Sequence, residues 1–78
     1  MAWETIIWTS VNLAHIAEHG VTMDEVEQVL EAPELLTNSR STGLPLVLGY
    51  TTSGRLLAVI FEQIDEATVH PITAYEPE

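Results

Sequence analysis

Apolar and polar residues alternate at different periods along this chain, and the period marks each element. The first apolar stretch, Thr5-Ile6-Ile7-Trp8, is β-branched and aromatic, which predicts a strand over about Glu4 to Trp8. Thr9 or Ser10 then caps a helix reaching His19, with Leu13, Ile16 and Ala17 on one face at i, i+3, i+4. Gly20 follows as the residue that ends a helix with positive φ. Thr22-Met23-Asp24-Glu25 has the form of a capping box, flanked by Val21 and Val26 as a hydrophobic staple. Val26, Val29 and Leu30 form the buried stripe of a helix over 23–31, which Ala32-Pro33 stops.

From there the period becomes two. Glu34 to Thr37 reads as an optional short strand and Asn38 to Gly43 as a polar loop. Leu44 to Thr51 places Leu44, Leu46, Leu48 and Tyr50 on one face, with Pro45 at a strand start or an edge. Thr52-Ser53-Gly54 makes a hairpin turn. Leu56 to Gln63 is apolar on both faces, the pattern of a central strand. A last strand runs from Thr68 to Tyr75, with Pro71 suggesting an edge. The expected fold is therefore one α+β domain over residues 1–78: β-α-α, then an antiparallel sheet of three to four strands.

Composition narrows the function. The chain is 46% hydrophobic, enough for a core, although a domain of 78 residues buries only about 60–65% of its unfolded surface. No apolar run is long enough to span a membrane, and Met-Ala-Trp-Glu lacks the basic-then-apolar start of a secretion signal, so the expected location is cytoplasmic. Without cysteine, disulfides and thiolate metal sites are excluded. Charge changes the picture most. Twelve acids face two arginines, Arg40 and Arg55, and no lysine, for a net charge of −10. Nucleic-acid affinity depends on cations that displace phosphate counterions, so direct RNA or DNA binding is disfavoured. The same field attracts basic proteins, although acidity also serves solubility alone.

The candidate chemistry is sparse. His15 and His19 share a helix face at i, i+4, a spacing that can hold a metal with Glu18 or His70 as third ligand. That spacing also arises by chance, His15 is not followed by the glutamate of the metalloprotease motif, and no metal or cofactor is expected. Arg40, in a Ser/Thr-rich loop, and Arg55, after the turn glycine, can each bind phosphate or carboxylate, or simply pair with a surface acid. Glu62 on an otherwise apolar strand marks either that strand's exposed end or a site carboxylate. An apolar edge at Pro71 to Tyr75 would permit a homodimer by strand pairing.

Several short motifs occur in a telling order: Ile7-Trp8, Asn12, His19-Gly20-Val21, Gly49 to Thr51, Gly54-Arg55 and Ile72-Thr73-Ala74. In these the chain resembles the BrnT family of type II toxins, which share the RelE/ParE-like fold. The resemblance implies a RelE-like fold and a ribonuclease-type toxin neutralised by a neighbouring antitoxin, usually one that binds DNA. His19 and Arg55 match the family's functional positions. Glu18 and Tyr75 stand where the family commonly carries lysine and arginine. Three expectations follow. The first is a weak or inactive toxin-fold protein that binds an antitoxin or other basic protein. The second is an active endoribonuclease, with His19 as general acid or base, Arg40 or Arg55 holding phosphate and Tyr75 orienting substrate. The third is a stand-alone acidic protein that binds a basic partner.

Overall fold

The computed structural model describes residues 3–77; Met1 and Ala2, on which the N-terminal reading partly rests, and Glu78 lie outside the described residues. The order is β1 (Thr5–Ile6), α1 (Ser10–Glu18), α2 (Met23–Glu31), β2 (Leu35–Asn38), β3 (Pro45–Tyr50), β4 (Leu56–Asp65) and β5 (Thr68–Tyr75). These elements make an α+β fold whose single five-stranded sheet has the order β1-β5-β4-β3-β2. Strands β2 to β5 are antiparallel in sequence, as successive hairpins require, and β1 adds in parallel to β5, so the sheet is mixed. Among the described residues, no helix is long and apolar enough to cross a membrane.

Both helices begin where their capping residues place them. Thr9 Oγ1 accepts the Asn12 N–H at 3.2 Å. Thr22 Oγ1 accepts the Glu25 N–H at 3.2 Å while Glu25 Oε1 accepts the Thr22 N–H at 3.0 Å, completing the capping box. The staple residues Val21 and Val26 are both buried. Helix α1 ends in a Schellman motif: the Val21 N–H reaches the Ile16 carbonyl, the Gly20 N–H reaches that of Ala17, and Gly20 has φ +72°.

The first strand is shorter than its apolar run predicts. The Thr5 N–H bonds the Ala67 carbonyl and the Ile7 N–H bonds that of Val69, so the next parallel bond would run from the residue 71 N–H to the Ile7 carbonyl. Residue 71 is proline, and the ladder stops. The edge suggested by Pro71 is therefore the point where β5 outlasts its neighbour. Strand β4 runs two residues longer than expected, because Asp65 Oδ1 accepts the Ala67 N–H at 2.9 Å and lets a tight turn join Asp65 to Thr68.

Register places the core on one face. Leu36, Val47, Val59 and Ala74 stand side by side across β2, β3, β4 and β5, and the last three are fully buried. They join Ile16, Val21, Val26, Val29, Leu30, Leu57, Phe61 and Val69 in one cluster, so both helices pack on this face. Helix α2 rests directly on the backbone of Gly49, where a Cβ would meet Val29 Cγ1 at 3.1 Å and the Ala32 carbonyl at 3.3 Å. The two rows of the opposite face are Leu35-Leu48-Ala58-Tyr75 and Thr37-Leu46-Ile60-Thr73, with Tyr50 beside Leu56 beyond them. Ala58 and Ile60 are buried but lie outside the helix-bearing cluster; side chains flanking them in register shield them.

Candidate functional site

Three of the four residues named for the ribonuclease reading come together at one end of the sheet. The α1–α2 corner supplies His19, the β3–β4 turn supplies Arg55, and the end of β5 supplies Tyr75. The His19 and Tyr75 rings lie 6.2 Å apart between centroids, tilted by 55°. Arg55 reaches under the corner: Nη1 donates to the Gly20 carbonyl at 2.9 Å and lies 3.1 Å from each oxygen of Glu25, and Nη2 donates to Glu76 Oε1 at 3.0 Å. One guanidinium thus closes the Schellman turn, locks the capping box and pins the chain after β5.

The electrostatics follow from these contacts. The backbone N–H of Thr22 and then the Arg55 guanidinium favour the ionised Glu25 carboxylate and hold it below the usual glutamate range. The Glu76 hydrogen bond, followed by Glu25, raises Arg55 above its ordinary value. Around this cation, then, stand two carboxylates and a carbonyl. A phosphate entering here would meet a guanidinium whose charge is already balanced.

Arg40 lies elsewhere. It sits in the exposed β2–β3 loop, at the opposite end of β3 from Arg55, roughly 20 Å away at ~3.4 Å per strand residue. No carboxylate lies within salt-bridge distance of it among the described residues. The two arginines cannot clamp one phosphate. Nor do His15 and His19 gather a third ligand: among the described residues, no three His, Asp or Glu side chains are placed to hold a metal.

A second polar chain emerges that the sequence signalled only in pieces. His70 Nε2 donates to the buried Asn12 Oδ1, which also accepts the Thr9 hydroxyl at 2.6 Å, while His70 Nδ1 lies 3.7 Å from Glu62 Oε1. Glu62 pairs with His70 in register and remains largely exposed. The chain ties the start of α1 to β5 and satisfies the polar side chain of α1 that faces the interior.

The sheet itself offers an apolar surface. The face opposite the helices carries Leu46, Leu48 and Leu56, all half-buried, and the exposed Tyr50. This surface continues through Leu35 to β2, an edge strand in which all four residues are exposed. On the helix side of that edge a groove of about 240 Å³ is lined by Trp3, Pro33, Glu34, Leu35, Leu36 and Val47. At the edge expected from Pro71 to Tyr75, Pro71 and Ala74 are buried and the other three residues are half-buried; α1 packs on β5, and β1 pairs with that strand only as far as Val69. Comparison with protein-family models, curated proteins and solved structures finds no match to this chain.

Proposed function

We propose that this chain is a BrnT-like protein of RelE-like fold that works as the protein-binding half of a toxin–antitoxin-like pair, its partner a basic protein. The observation that carries this reading is the helix-free, leucine- and tyrosine-bearing sheet face on a chain of net charge −10. Apolar surface of this kind favours burial against another protein, and the surrounding field draws a positively charged one. The neutralised Arg55 weighs in the same direction, because a cleft that stabilises developing phosphorane charge needs available cations.

The experiment pairs the chain with the product of the adjacent small open reading frame. Expressed alone, the protein is expected to leave growth unaffected and RNA uncleaved. Mixed with a basic ribbon-helix-helix neighbour, it is expected to form a complex that weakens as salt rises. If no such complex forms, the reading fails. A second reading, an active endoribonuclease, is favoured by the meeting of His19, Arg55 and Tyr75. Growth arrest with RNA cleavage that disappears in His19→Ala would establish it in place of the first.

A further inference from the structure

The β2 edge of the sheet has a built polarity. The Ser39 N–H bonds the Leu44 carbonyl at 2.7 Å, which makes Asn38–Pro45 a wide pair of the antiparallel ladder. Pairs alternate along the ladder, so Thr37 and Leu35 turn their main-chain groups toward β3, while Leu36 and Asn38 turn theirs outward. Natural edge strands guard such groups with inward charges, proline, bulges or a covering loop. Strand β2, Leu-Leu-Thr-Asn, has no charge and no proline, and Leu35 and Leu36 are 53% and 55% exposed. Beside it the groove floored by Trp3, Pro33 and Val47 has room for an apolar side chain.

We infer that β2 takes an extended, lysine- or arginine-bearing segment of a partner protein as a sixth strand, with one apolar side chain seated in the Trp3–Val47 groove. The occupant follows from charge. Glu34 lines the groove and Glu31 ends the helix just before it, on a chain of net charge −10. A second copy would bring the same acids to the same edge, and like charges repel. A basic strand brings the opposite sign. Main-chain bonds to Leu36 and Asn38 would supply affinity, and the groove would select the side chain opposite Leu36, which shares its face. This inference rests on the protein-binding reading and adds its place and mode.

The probe is a short end-capped peptide of alternating lysine and valine, titrated into the isotopically labelled protein and followed by NMR. A second peptide of equal charge, N-methylated at its valines, lacks the N–H groups that would face Leu36 and Asn38 when a valine sits in the groove. Saturable shifts at residues 35–38, Trp3 and Val47, slower amide exchange at Leu36 and Asn38, and about tenfold weaker binding of the N-methylated peptide are expected. Leu36→Lys, at an exposed position, should weaken binding without unfolding the chain. Equal binding of both peptides, or shifts confined to Leu46, Leu48 and Leu56, would overturn the edge assignment and leave the protein-binding reading standing. No saturable binding by either peptide would count against both. Self-association of the free protein through β2, seen by sedimentation, would replace the basic partner with a second copy and overturn the inference.

Discussion

Glu25 carries more of this structure than its place on an exposed helix turn suggests. Its carboxylate receives the Thr22 N–H and the Arg55 guanidinium together, so one side chain serves both the α2 cap and the junction with the sheet. Hydrogen bonds to a charged acceptor contribute about 1.5–3 kcal/mol where they are well shielded, but this pair is partly exposed, and screening reduces its share. Glu25→Gln should therefore destabilise the protein by about 1 kcal/mol at neutral pH. The pH dependence has a definite sign. The folded-state pKa of Glu25 is lowered, so its stabilisation is fully present above the unfolded value and is lost as pH falls through the folded one. The gap in unfolding free energy between the parent protein and Glu25→Gln should be constant above about pH 5 and close progressively below the ordinary glutamate pKa of about 4.3. Urea titrations of both proteins across this range measure it; a gap that widens on acidification would remove Glu25 from this role.

At the scale of elements, α2 and β3 meet with no spare room at Gly49. Gly49 has no side chain because the last turn of α2 occupies that space, with Val29 Cγ1 and the Ala32 carbonyl both inside ordinary Cβ contact. Gly49→Ala should lift α2 off the sheet and destabilise by about 1–3 kcal/mol, as overpacking does. For a domain of this size that lowers the melting temperature by roughly 4–8 °C per kcal/mol. Calorimetry of the variant checks it, and an unchanged melting temperature would show that the helix yields freely. Sequence periodicity reached most of these elements because it records burial: Thr22–Glu25 announced α2 to the residue, and the two-faced run from Leu56 announced the central strand. It did not reach the partners that close the fold. Nothing local links Arg55 to Glu25, 30 residues away, or His70 to Asn12, 58 away, and the end of β1 depends on a proline in β5.

At the scale of the whole molecule, charge opposes folding. Twelve acids and two arginines are gathered into a body of radius of gyration 11.2 Å, only about one to two Debye lengths at physiological salt. Two of the acids, Glu25 and Glu76, share the single positive charge of Arg55; most of the others repel one another. Salt therefore acts on two terms of opposite sign. It weakens the Arg55 pairs, which are few and partly exposed, and it relieves the repulsion, which involves many more groups. The second should dominate, so the midpoint of thermal unfolding is expected to rise as sodium chloride increases from about 10 mM, where the Debye length is about 30 Å, to about 0.15 M, where it is about 8 Å. Complex formation with a basic partner should move the opposite way over the same range, because there salt screens attraction. Differential scanning calorimetry of the free protein and titration calorimetry of the complex separate the two effects. A melting temperature that falls with salt would mean that the Arg55 clamp outweighs the summed repulsion. The acidity would then be a minor load on the fold, and its value as a lure for a basic partner would rest on the binding measurement alone.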